Sequence, residues 1–217
     1  MLLTILAAAS LTNVFPAIDR HERYSFGGSN ALAAQIRQGA PADVFASADT
    51  ALPRQLYRAH LVEKPVVFTH NALTLIVPRS NPAHIHRVAD LRRGGVKLVV
   101  AAPGVPVGDY TRTVLRRMRQ SGVLHNVVSE ESDVRDVLAK VALGEADAGF
   151  VYRTDARTVR AKVRMLALPR SAQPRVSYAV AVVRGSSHAA AARRWVHRLL
   201  GKAAQAKLRT AGFLPRR

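Results

Sequence analysis

The chain has 217 residues, no cysteine, and a formal charge of +19 from 33 Lys and Arg against 14 Asp and Glu. The missing cysteines exclude disulfides, thiolate metal sites and a cysteine nucleophile, and no apolar run approaches the roughly 18 residues of a membrane-spanning helix. A hydrophobic fraction of 48% is enough for one large core or two smaller ones.

The pattern along the chain is strand, small-residue loop, helix. Residues 3–7 (LTILA) read as a buried strand, and residues 11–18 as a helix. The apolar start lacks the basic leading segment of a signal peptide, so a buried first strand is the better reading. A short strand at 24–26, a helix at 30–38 ended by Gly39, a strand at 43–47 and a helix at 53–59 follow. The apolar run 72–78 (ALTLIVP) is a strand, 88–91 a helical piece, and 96–101 a strand leading through Pro106-Val107-Gly108 into a helix at 109–120. Ser132 or Asp133 caps a helix that runs to Leu143, with Gly144 after it. Strands at 146–152 and 176–183 precede a C-terminal helical region, capped by Ser187 and ending near Gly212.

Alternation of this kind predicts parallel sheets with helices on both faces. The strands near 72–77 and 178–183 bracket about 100 residues, a normal domain size. The expected division is therefore 1–76 with 179–217 as one lobe and 77–178 as the other, joined by two hinge crossings.

Charge is distributed unevenly. Residues 1–52 carry three Lys or Arg against four Asp or Glu, whereas residues 153–217 carry sixteen against one. Such a field attracts polyanions without sequence preference. Yet Arg outnumbers Lys 27 to 6, the basic residues fall on several elements, and aromatics are only 6%, too few for stacking platforms. Compositional bias explains this better than a nucleic-acid surface.

A more specific signal lies in the loops. Ala8-Ala9-Ser10-Leu11-Thr12, Phe26-Gly27-Gly28-Ser29-Asn30, Val105-Pro106-Val107-Gly108 and Glu131-Ser132-Asp133-Val134-Arg135 each place small donors before a helix, and the segment from Gly149 to Ala156 carries Tyr152. Helix N-termini hold unpaired N–H groups at the positive end of the dipole, so several of them together suit a small anion. Taken singly, the serines are ordinary caps, the valines carry no signal, and the tyrosine is an ordinary strand-end aromatic.

In these segments, and in the run Gln38-Gly39-Ala40-Pro41-Ala42-Asp43-Val44-Phe45-Ala46-Ser47-Ala48-Asp49, the chain resembles the periplasmic molybdate-binding proteins of ABC-type uptake systems. The resemblance implies a two-lobed type II periplasmic-binding fold, α/β in class, that closes over a tetrahedral oxyanion. It implies ligand contacts at Ser10 and Ser29 from one lobe and Val107, Val134 and Tyr152 from the other. The ligand would be molybdate or tungstate, with no further cofactor and no metal cation. The implied partner is the membrane permease of an ABC transporter, reached by a monomer working outside the cytoplasm. In place of a small hydroxyl residue common in the family, Asn30 follows Ser29, and the resemblance then implies an added amide near the pocket rim.

Other readings are poorer. No Gly-x-Ser-x-Gly elbow is present, and an enzyme is not expected. His84-Ile85-His86 could pair two imidazoles on a metal, but Pro82 marks a solvated turn there. A regulatory effector module, another oxyanion binder, and a non-specific polyanion binder remain as alternatives.

Overall fold

A computed structural model describes residues 2–216, which fall into two units, 2–71 with 176–216, and Ala72–Arg175. The run 72–78 lies wholly in the second unit, because both strands it pairs with belong there. The chain therefore changes unit at the residue pairs 71/72 and 175/176 rather than within its apolar strands.

The first unit begins β1 (Thr4–Ala8), α1 (Val14–Ile18), β2 (Arg23–Gly27), α2 (Ser29–Arg37), β3 (Val44–Ser47), α3 (Ala51–Arg58) and β4 (Val66–Asn71). The second contains β5 (Leu73–Pro78), β6 (Leu98–Ala101), α4 (Pro106–Arg117), β7 (Val127–Glu131), α5 (Val134–Ala142), β8 (Ala148–Tyr152), α6 (Arg153–Thr158) and β9 (Val163–Leu166). The chain then completes the first unit with β10 (Val176–Val182), α7 (Ala189–Leu200) and α8 (Lys202–Ala211).

Each unit has one five-stranded sheet, in the order β2-β1-β3-β10-β4 in the first and β7-β6-β8-β5-β9 in the second. β1 pairs in parallel with β2 and β3, and β10 runs against β3 and β4. β6 pairs in parallel with β7 and β8, and β5 runs against β8 and β9. In each sheet four strands thus share a direction. The reversed one is the strand laid down just after the chain crosses from the other unit.

The two cores differ in chemistry. Phe15, Phe45, Phe68, Tyr178 and Trp195 are fully buried in the first unit, with Trp195 edge-on to Phe15 at 5.4 Å and Tyr178 T-shaped against Phe68 and Phe213. The second core is mainly aliphatic: Val99, Val100, Val114, Leu115, Val137, Val141 and Val151 are fully buried, with Phe150. Gly149 in β8 lets α5 pack close, since a Cβ there would meet Val137 Cγ1 at 2.8 Å and Val141 Cγ2 at 3.0 Å.

Several local expectations shift. The first helical stretch divides into a 3-10 turn, Ala9–Leu11, and α1. The helix expected from Asp109 starts three residues earlier, with Pro106 in its first turn, where a missing N–H costs nothing. Ser187 does not cap the C-terminal region. His188 takes that position, Ser186 Oγ accepts the His188 N–H at 3.0 Å, and the region divides into two helices at Gly201.

Candidate functional site

In the first unit, the register of β1 against β2 aligns Ala8 with Gly27. Ser10 and Ser29 each lie two residues beyond that aligned pair, so the topology brings them to one end of the sheet. Both are buried. Ser10 sits in the 3-10 turn directly after β1, and its Oγ is 2.8 Å from the Tyr178 hydroxyl on β10. Ser29 is the first residue of α2, after Gly28 at the N-cap. Its Oγ accepts the Ala48 N–H at 3.1 Å, which ties the loop after β3 to the head of α2. A hydroxyl holds one proton and two lone pairs, so this bond leaves the Ser29 proton to be donated elsewhere. As a first-turn residue, Ser29 also has a backbone N–H with no intrahelical acceptor.

Ser47 Oγ donates to Asp49 Oδ1 at 2.9 Å, and the same oxygen accepts the Leu52 N–H at 3.1 Å at the head of α3. The run from Gln38 to Asp49 is therefore distinctive for a structural reason. It carries a core strand, the Ser29 tie and the Asp49 carboxylate that accepts from the head of α3. Asn30 Oδ1 is buried without a hydrogen-bond partner among the described residues.

In the second unit, β7, β6 and β8 are adjacent and parallel, and each leads into a helix at the same end of the sheet. Val107 is the second residue of α4, Val134 the first of α5, and Tyr152 the N-cap of α6. All three are buried. Asp133 caps α5 by accepting the N–H groups of Arg135 and Asp136, at 2.6 and 3.3 Å, which leaves the Val134 N–H outside the cap. In α4 Pro106 has no N–H and Asp109 N–H is the first to bond back, to Val105 O at 3.0 Å. Val107 and Gly108 thus supply the orphan donors of that turn.

Gly108 allows this turn to sit against the end of β6, because a Cβ there would lie 2.3 Å from Ala102 O and 2.4 Å from Ala101 O. Arg112 Nη1 donates to Ala101 O and Gly108 O at 2.9 and 3.1 Å, while Nη2 donates to Glu130 at 2.5 Å. This guanidinium is spent on the protein's own acceptors.

The neighbouring charges are similarly engaged. Arg135 Nε lies 2.9 Å from Asp155 Oδ1, linking the first turn of α5 to the first turn of α6. Asp155 is fully buried. Burial pushes its carboxyl up to about 7, against the pull of Arg135 and with help from the repulsion of Asp133. Burial also raises the Asp133 carboxyl, opposed first by the Arg135 N–H. Arg153, next to Tyr152, is exposed.

Sequence reasoning missed Tyr178 and Ala48 as partners of the site serines, and Asn71 behind Tyr178, because each is brought near only by the folding of the sheet. The His84 turn is organised by Asn81, whose side chain bonds Ile85 N–H and C=O at 3.0 and 2.9 Å. Among the described residues, no group of three or more His, Asp or Glu is placed to hold a cation.

A family model described as bacterial extracellular solute-binding protein matches residues 19–214. The molybdate-binding protein ModA of Mycobacterium bovis is 39% identical, over 97% of this chain and 84% of its own length. Among solved structures, the periplasmic molybdate-binding protein of Azotobacter vinelandii matches with a TM-score of 0.87 at 21% identity, over 99% of this chain and 100% of that one. The sulfate-binding protein SubI of Mycobacterium tuberculosis matches with 0.84 at 20% identity, over 98% of this chain and 86% of that one. The chain belongs to the bacterial extracellular solute-binding protein family, in the group of the molybdate-binding proteins.

Proposed function

We propose that this chain captures molybdate, and tungstate with it, outside the cytoplasm and delivers it as a monomer to the membrane permease of an ABC transporter. It acts by binding and release, not by catalysis. The contacts in this reading are Ser10, Ser29, Val107, Val134 and Tyr152: two hydroxyls, a phenol and helix-head N–H groups. The observation that carries it is the neutrality of this donor set within a chain of +19. Arg112 and Arg135, the cations placed closest in sequence to the valine contacts, are engaged by protein acceptors.

That chemistry suits molybdate. It is a dianion with four acceptor oxygens and no proton at neutral pH, and hydrogen bonds to a charged acceptor are roughly twice as strong as neutral ones. Hydrogen phosphate would bring a proton to a site made of donors, at a cost of about 1–3 kcal/mol for the unmatched group. Sulfate has the right charge and shape but is smaller. A backbone cradle of fixed size rejects it better than flexible side chains do. The fold is shared with a sulfate-binding protein, so fold alone does not choose the anion.

A thermal-shift panel tests this. Linkage gives roughly 4 kcal/mol at ligand a thousandfold above Kd, which for a chain of this size is a rise in Tm on the order of 10 °C. Molybdate and tungstate are expected to give it, with sulfate and phosphate far behind. Equal stabilisation by phosphate or sulfate contradicts the reading.

A further inference from the structure

The Ser10 hydroxyl does not stand alone. Its oxygen is 2.8 Å from the Tyr178 hydroxyl, and that hydroxyl is 3.4 Å from Asn71 Nδ2. All three side chains are buried. An amide NH2 can only donate, so the Asn71 contact occupies a lone pair of the tyrosine oxygen. A phenol is more acidic than an aliphatic hydroxyl, so in the pair with Ser10 the tyrosine is the favoured donor. The two conditions agree. The proton order runs from Asn71 N–H to Tyr178 O, and from Tyr178 O–H to Ser10 O, leaving the Ser10 proton as the end of the chain.

We propose that Tyr178 is a specificity-determining residue that fixes Ser10 as a donor toward the ligand by donating its own proton to Ser10 Oγ, so that the Ser10 proton is turned away from the tyrosine and toward the ligand. The proposal rests on the oxyanion reading above and goes beyond it. It says how one serine, able to donate or accept, is held in the donating sense. A protonated oxyanion needs an acceptor in its site, and the relay turns the Ser10 proton toward it instead. A fully deprotonated oxyanion needs only donors and loses nothing. Donor chains of this kind also strengthen their terminal bond by mutual polarisation. Tyr178 is set in place by packing independent of its hydroxyl, edge-on to Phe68 at 6.1 Å and to Phe213 at 5.5 Å. Removing the oxygen therefore alters the hydrogen bonding while leaving the ring contacts.

The test is the ratio of molybdate to phosphate affinity, by titration calorimetry at pH 6 and pH 8, for the wild type, Tyr178→Phe and Asn71→Leu. Tyr178→Phe is expected to weaken molybdate by up to about tenfold and to narrow the molybdate-to-phosphate ratio by about tenfold or more, the scale of one buried hydrogen bond. The narrowing should be greater at pH 6, where phosphate carries more protons. Asn71→Leu should narrow the ratio in the same direction by less, since Tyr178 then keeps its hydroxyl but loses the group that orients it. A purely structural role would weaken both anions alike. An unchanged ratio in Tyr178→Phe, with wild-type molybdate binding intact, overturns the relay. Failure of the wild type to prefer molybdate overturns the oxyanion reading instead.

Discussion

The two units use the same sheet plan and head their helices with different chemistry. In the first, Ser10 and Ser29 bring side-chain oxygens, and each oxygen is tied from behind, by Tyr178 and by the Ala48 N–H. In the second, Val107 and Val134 offer backbone alone, and what is tied is the backbone itself, by Gly108 against β6 and by Asp133 at the head of α5. Side-chain donors can be removed by substitution at the site. Backbone donors can only be moved, by substitutions beside it. The serine and valine positions should therefore respond to mutation in opposite ways, with the Tyr152 phenol of the second unit behaving like the serines.

The largest effect should come from Gly108→Ala. A methyl group 2.3 Å from Ala102 O cannot be accommodated unless the first turn of α4 shifts. Overpacking of this type costs about 1–3 kcal/mol of stability, and the shift withdraws the Val107 and Gly108 donors together. Molybdate affinity should fall by more than about 100-fold, the combined loss of two charge-assisted bonds. Calorimetry beside a thermal melt separates the two losses. Near-normal affinity would show that this turn does not contact the ligand.

At the other extreme, Val134→Ala should change affinity by less than about threefold, since the donor is an N–H that alanine also has. Its cost is to stability, about 1.6 kcal/mol at roughly 0.8 kcal/mol for each of the two buried carbons lost. A large affinity loss with an intact fold would mean that the valine side chain shapes the pocket.

Asp155 gives a pH prediction for the second unit alone. Its folded value, about 7, lies above the ordinary carboxylate value of 3.8, so the folded state holds the extra proton between those limits. Stability from this group is full below pH 4 and declines as pH rises toward 7, by at most about 1.4 kcal/mol per pH unit. Asp155→Asn should flatten that part of the stability profile, measured by urea unfolding from pH 4 to 8. A wild-type profile that rises across this range, with the variant parallel to it, would contradict the assignment.

How much of this was legible in sequence divides along physical lines. Strands with a loop signal at one end, such as β1, β3 and β6, were readable, because buried apolar runs and small-residue loops are local features. β4 was not. Val66–Asn71 runs into Leu73–Pro78 with only Ala72 between, and without a Gly or Pro the two strands look like one. β7 and β9 lie at the edges of their sheet, where exposed positions dilute the pattern, and α6 is only six residues long. The reversal of β5 and β10 has no residue signature at all. Within the site, the helix heads were visible as motifs, while the ties that orient them, Tyr178 to Ser10 and Asp155 to Arg135, join residues 168 and 20 positions apart.

The central claim is that neutral donors, not the abundant arginines, hold the anion. Titration calorimetry of molybdate into Ser10→Ala, Ser29→Ala, Tyr152→Phe and Arg153→Gln tests it most directly. Each lost hydroxyl should cost about 1.5–3 kcal/mol, or roughly 10- to 150-fold in affinity, whereas Arg153→Gln should leave the affinity within about threefold and mainly slow association at low salt. Loss of binding in Arg153→Gln, with the three hydroxyl variants near wild type, would contradict the account and put a charge clamp in its place.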